Sequence, residues 1–186
     1  MRLFIAVDLN SQNRDALAKL QTRLKKADTD VKWIEPKNIH LTLKFLGEVT
    51  EENIPKIISA IKESIQGIQP FSLEIINLGV FPSLEYPRVI WAGIEKGKED
   101  LKKLAERVEA AMLKLKFPKE KRGFSEHLTL GRVRSSKNKN NLIQQLSQTS
   151  FPTLRQDIAA VILYQSTLTP QGPIYEKLGE ASLQKI

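Results

Sequence analysis

No cysteine occurs anywhere in the 186 residues, which excludes disulfides, cysteine nucleophiles and thiolate metal sites. Histidine is almost as scarce, with only two copies, His40 and His127. Long apolar runs are missing as well. The stretch 3–7 is cut off by Asp8, too short for a signal peptide or a membrane span, so the expected setting is the cytoplasm with no membrane partner. No glycine-rich phosphate loop, linker or low-complexity tract interrupts the chain. Acidic residues are in deficit: Asp plus Glu number 21 against 29 Lys plus Arg, a formal charge of +8 and a sequence pI near 9.6. That balance favours polyanionic partners, although many soluble proteins are basic. The length suits one domain or two small lobes, with enough chain to bury a core.

What the chain does have is a repeated tetrapeptide. His40-Leu41-Thr42-Leu43 returns as His127-Leu128-Thr129-Leu130, and the two copies consume both histidines. On an extended strand, side chains alternate between faces, so His and Thr point one way and the two leucines point into a core. Two such strands side by side offer two imidazoles and two hydroxyls to one small polar ligand. Phosphate fits that set. One imidazole can act as base while the other acts as acid, and threonine hydroxyls donate to phosphate oxygens without adding charge. A single His-x-Thr is most often structural; its verbatim return reverses those odds. Lys44 shares the parity of His40 and Thr42, so a regular strand directs it into the same cleft. Zinc is not expected, because two histidines without cysteine or a carboxylate cluster make a poor site.

Along the chain, residues 2–8 read as a buried strand. Ser11 is a plausible cap for a helix over 14–26, with Ala16, Leu17, Leu20 and Leu24 at helical spacing. Residues 33–38 form a turn-rich approach to the first motif strand, which Gly47 ends. Thr50 then caps a helix to about Gln66 whose stripe is Ile54, Ile57, Ile58, Ile61 and Ile65. Strands follow at 71–78 and 89–94, around a loop over 81–88 whose aromatics either rim the site or, the favoured reading, pack against the lobe. A helix over 99–116 leads to Lys114, Lys116, Lys119, Lys121 and Arg122, a cationic stretch just ahead of the second motif that is either a solvated charge run or a contact for a nucleic-acid backbone. A polar loop (134–140), a short helix (141–147), a strand (158–166), a turn (169–173) and a short pairing (174–178) complete the chain. Strand, helix, motif strand, helix, then a second round: the pattern is of two similar α+β halves within one domain over 1–186, with lobes facing each other and the motif strands between them.

The paired motifs resemble those of the 2H phosphoesterases, in particular the bacterial and archaeal RNA 2',3'-cyclic phosphodiesterase branch, also called 2'-5' RNA ligases. The similarity extends over residues 1–7 (MRLFIAV), 33–47 (WIEPKNIHLTLKFLG), 126–132 (EHLTLGR) and 172–178 (GPIYEKL). The resemblance implies an α+β fold of two lobes, with antiparallel sheets lining a central cleft and helices outside. It also implies that Arg132 contacts phosphate. By strict alternation, Arg132 falls on the face opposite His127, so a bulge or bend at Gly131 is required to bring it round.

The expected reaction is hydrolysis of a 2',3'-cyclic phosphate at an RNA end. His40 and His127 serve as acid and base, and Thr42, Thr129 and a cation (Arg132 or Lys44) hold the non-bridging oxygens. No metal and no cofactor is expected. The resemblance implies that the 3' oxygen leaves, giving a 2'-phosphate. Which imidazole is the base stays open, with His127 favoured. Two rivals stand beside this reading: 2'-5' ligation at the same site, and a non-catalytic module that binds RNA ends. Pure binding is better served by permanently charged Arg or Lys than by two histidines. The substrate expected is RNA with a cyclic phosphate end, such as a tRNA fragment, or a small cyclic nucleotide. A self-contained two-lobed site needs no partner subunit, so a monomer is expected.

Overall fold

The computed structural model describes residues 1–121 and 123–184. In chain order the elements are β1 (Arg2–Val7), α1 (Ser11–Leu24), β2 (Val31–Trp33), β3 (Leu41–Glu48), α2 (Ile54–Ser64), β4 (Phe71–Phe81), β5 (Val89–Ile94), α3 (Lys98–Lys114), β6 (His127–Val133), α4 (Lys139–Gln148), β7 (Leu154–Ile158), β8 (Ala160–Thr169) and β9 (Gly172–Ser182). They build two antiparallel sheets, one ordered β3-β1-β8-β9 and the other β2-β6-β5-β4-β7. One motif strand lies in each sheet, β3 in the first and β6 in the second.

The lobes are not successive halves of the chain. The four-stranded sheet joins the first strand and the first motif to the last two strands, while the five-stranded sheet takes the middle of the chain. The helices cross over too. α1 leaves β1 yet packs on β7 and α4, whereas α2 and α3 cover the four-stranded sheet at β9 and β3. A strand-helix-strand pattern gives element types, but it cannot say which sheet receives each strand.

Local rules explain most boundaries. Asn10, not Ser11, caps α1, its side chain accepting from Asn13 N at 2.7 Å. Leu17, Leu20 and Leu24 are buried on that helix, while Ala16 lies at the margin. Thr50 makes no side-chain cap; a 3-10 turn over Glu51–Asn53 precedes α2, whose Ile57 and Ile61 are buried. The stretch read as one strand over 158–166 belongs to two, since Ala159 interrupts the pairing and β7 turns to β4 while β8 turns to β1. The short final pairing is longer than expected, with β9 matched to β8 along ten pairs from Thr169↔Gly172 to Ala160↔Ser182. Gly179 in β9 is where α2 approaches most closely: a Cβ there would stand 2.6 Å from Ile58 Cδ1. Only glycine fits under that isoleucine without displacement.

Candidate active site

Both motif strands depart from regularity at the same point. In β3, Ala6 pairs with Thr42 and Ile5 with Lys44, so Leu43 is an extra residue. In β6, Trp91 pairs with Thr129 and Ile90 with Gly131, so Leu130 is extra. A bulge of this kind resets the alternation and swings the following residues to the other face. In β6 it returns Arg132 to the face of His127 and Thr129. The bulge is pinned: Leu130 O accepts from Ile34 N at 2.9 Å and from the amide Nε2 of buried Gln21, on α1, at 2.9 Å.

The same bulge in β3 corrects the expectation for Lys44. With alternation reset, Lys44 turns away from His40 and Thr42 and into the helix-covered interior, where it is 1% exposed. Its Nζ lies 2.8 Å from Glu109 Oε2 on α3 and donates to Pro118 O at 2.9 Å. It is a buried ion-pair partner, its ammonium turned away from the cleft. The residue that takes the place of Arg132 in this copy is Phe45, which is 58% exposed and packs against Phe4. Leu46 is buried in the core.

Each imidazole is held by the same local device. His40 Nδ1 lies 2.7 Å from Asn38 O, and His127 Nδ1 lies 2.9 Å from Ser125 O. A carbonyl can only accept, so Nδ1 carries the proton and Nε2 is the atom free to exchange one. The two Nε2 atoms differ. That of His40 is 2.9 Å from Thr42 Oγ1, whereas among the described residues no hydrogen bond is made by that of His127.

Their surroundings differ as well. His40 is enclosed by aromatics: stacked on Phe4 at 4.8 Å, met edge-on by Tyr175 at 5.2 Å, and flanked by Tyr164 at 6.4 Å. Burial therefore pushes its pKa below the ordinary histidine value, partly opposed by the Asn38 carbonyl and by the charge of Asp8. His127 is more open, with Phe81 edge-on at 5.0 Å. Its pKa is also lowered, first by burial and further by the charge of Arg132, against the Ser125 carbonyl and Glu126. Asp8 is paired with Arg14; burial, and after it the charge of that carboxylate, push Tyr164 up to about 12.

Tyr175 links the lobes. It belongs to β9 of the four-stranded sheet and touches His40; burial raises its pKa, opposed by the charge of Arg132 on β6 of the other sheet. Arg132 thus acts on His127 and on the neighbour of His40 alike. Asn38, just before the first motif, donates to Pro173 O at 2.8 Å and ties the approach to the start of β9.

Sequence reasoning missed Phe4, Tyr164 and Tyr175. Phe4 sits inside an apolar run whose two faces look alike, and Tyr175 lies within a stretch whose similarity was noted without a role. The loop over 81–88 divides between the two readings offered for it: Phe81 packs on Trp91 and His127, while Tyr86 is 74% exposed with Lys139 Nζ 5.9 Å from its ring centroid. The lysines at 114, 116, 119 and 121 are all exposed, and Arg122 lies outside the described residues. Among the described residues no group of three or more His, Asp or Glu could hold a metal, and no helix is long and apolar enough to cross a membrane.

Comparison with known proteins gives a consistent set. A family model described as LigT like phosphoesterase matches twice, over residues 7–91 and 93–175, with one His-x-Thr motif in each stretch. An RNA 2',3'-cyclic phosphodiesterase of Methanothermobacter thermautotrophicus is 38% identical over 94% of this chain and 95% of its own. One from Thermotoga maritima is 34% identical over 99% of this chain and 96% of its own. A crystal structure from Thermus thermophilus superposes with a TM-score of 0.81 at 30% identity, covering 98% of both chains. The fold is shared by E. coli LigT complexed with 3'-AMP, at TM-score 0.78 and 23% identity over 99% of this chain and 98% of that one.

Proposed function

The chain belongs to the LigT like phosphoesterases, and from that premise we propose that it hydrolyses RNA 2',3'-cyclic phosphate ends to 2'-phosphates by paired-histidine acid–base catalysis. The observation that carries this reading is the shared tether of the two imidazoles. Each Nδ1 is fixed on the carbonyl two residues before it, so each Nε2 is committed to proton exchange.

In the proposed step, one neutral imidazole takes a proton from water as the water oxygen bonds to phosphorus. The bond from phosphorus to the ribose 3' oxygen breaks, and the other imidazole, protonated, gives its proton to that oxygen. Thr42, Thr129 and Arg132 donate to the non-bridging oxygens, where charge develops. Lys44 has no part in it. The contrast between the two Nε2 atoms favours His127 as base, since its Nε2 has no protein partner to displace. His40 suits the acid. Once protonated, its Nε2 no longer accepts from Thr42, so the threonine hydroxyl is free to donate a hydrogen bond to the phosphate while Nε2–H serves the leaving oxygen. The set supplies acid, base and anion donors, so the reaction as written needs no metal.

The test is incubation with a short RNA ending in 2',3'-cyclic phosphate in the presence of EDTA, with the product end identified. A 2'-phosphate is expected, with turnover reduced on the order of a hundred- to ten-thousandfold by His40→Ala or His127→Ala. An intact cyclic end, or full activity of either variant, overturns the reading.

A further inference from the structure

Arg132 is not the only cation on its face of the five-stranded sheet. In the register of β2 and β6, Lys32 stands directly opposite Arg132. Residues opposed in an antiparallel pair share a face, with Cβ atoms roughly 4.5–5.5 Å apart. The flanking residues confirm which face this is. Val31 and Trp33 point to the other side, where a Cβ on Gly131 would meet Val31 Cγ1 at 2.7 Å and the Trp33 ring at 3.1 Å, against the core. Lys32 therefore projects on the side of Arg132, His127 and Thr129.

Both side chains are exposed, and among the described residues neither forms a salt bridge with a carboxylate. On its other side Arg132 is opposed by Val89, which offers no charge. Like charges placed directly opposite repel one another, so this pair is a favourable seat for an anion. Position says which anion. β2 is the edge strand of its sheet, one strand further out than β6, so Lys32 extends the positive surface from the reacting phosphate towards the rim.

Resting on the reading of the site given above, we infer that Lys32, standing beside the Arg132 that holds the reacting phosphate, binds the internucleotide phosphate immediately preceding the terminal cyclic phosphate. The enzyme is thereby matched to an oligonucleotide end in preference to a mononucleoside cyclic phosphate, which has no such group. A lysine suits the task because an internucleotide phosphate must be held but not reacted upon, and a flexible point charge tolerates different backbone conformations.

The experiment compares a trinucleotide ending in 2',3'-cyclic phosphate with adenosine 2',3'-cyclic phosphate, measuring kcat/KM at several salt concentrations for the parent protein, Lys32→Ala, Lys32→Glu and Lys32→Arg. The parent is expected to favour the trinucleotide. In Lys32→Ala the ratio of the two kcat/KM values falls roughly three- to tenfold, mainly through KM, and it falls further in Lys32→Glu. The salt dependence of log kcat/KM for the trinucleotide becomes shallower by about 0.7 in the alanine variant, and Lys32→Arg restores both quantities. A ratio unchanged in the alanine and glutamate variants overturns this inference while leaving the cyclic phosphodiesterase reading standing. Failure of the parent to turn over either substrate overturns that reading and this inference with it.

Discussion

Lys44 and Glu109 form an ion pair inside the four-stranded lobe, Nζ to Oε2 at 2.8 Å, with the lysine side chain fully buried and the glutamate 18% exposed. The pair spans two elements that must stay in place. Lys44 is two residues past Thr42, and Glu109 Oε1 also accepts from Glu120 N while Lys44 donates to Pro118 O, holding the segment ahead of the second motif. Removing one member of such a pair leaves the other charge without its partner.

Lys44→Met is therefore expected to destabilise the fold by about 2–4 kcal/mol, the partial exposure of Glu109 keeping the loss below that of a fully buried pair. Lys44→Met with Glu109→Leu should recover much of it. Urea denaturation of the parent, the single variant and the double variant measures this. At a temperature where all are folded, Lys44→Met should lose far less turnover than Arg132→Ala. An equal loss would put Lys44 back among the phosphate ligands.

The pH dependence of kcat/KM follows from the two imidazoles. Both have pKa values below the ordinary histidine value, chiefly through burial. The product of one deprotonated and one protonated fraction peaks midway between two pKa values, so the free enzyme should show a bell with its maximum on the acid side of about 6.5. A bound anion favours imidazolium, so the basic limb of kcat should lie at higher pH than that of kcat/KM. Initial rates across buffers from about pH 4 to 8 decide the matter. A kcat/KM maximum above pH 7 would mean that burial does not govern these groups.

Stability should respond to the same shift. As pH drops below about 6.5, the unfolded chain takes up a proton at His40 that the folded state resists, so unfolding becomes easier. This contribution is absent well above the unfolded pKa, costs stability as pH falls from the unfolded pKa to the folded one, and is constant below that. In His40→Gln the group cannot titrate. The stability advantage of the parent over this variant should thus shrink between pH 7.5 and pH 5, read from urea midpoints. An advantage that stays constant would show that His40 does not carry a depressed pKa.

The two motifs were legible because chemistry and repetition coincide in them, and strand parity placed His40, Thr42, His127 and Thr129 correctly relative to the leucines behind them. Parity failed one step later. Alternation alone directs Lys44 to the cleft, although Gly131 calls for a bulge in the other copy. The equivalent position of the first motif is Lys44 itself, where no glycine advertises the irregularity. Phe4, Tyr164 and Tyr175 were out of reach for a different reason. They approach His40 from β1, β8 and β9, and nothing local in the sequence brings the last two strands of the chain beside the first.

Gly131 offers the sharpest mutational handle on that bulge. A methyl group there would stand 2.7 Å from Val31 Cγ1 and 3.1 Å from the Trp33 ring, and neither a β-branched valine nor a packed indole yields easily. Gly131→Ala should cost about 1–3 kcal/mol of stability by pushing β2 from β6. It should also reduce kcat/KM, because the bulge is what carries Arg132 to the face of His127. Gln21→Leu removes the amide that holds Leu130 O and acts on the same bulge without adding bulk. If the bulge positions Arg132, both substitutions should weaken turnover in the parent background and have much less effect when Arg132→Ala is already present. Losses that simply add to that of Arg132→Ala would show that Gly131 and Gln21 affect the site by another route.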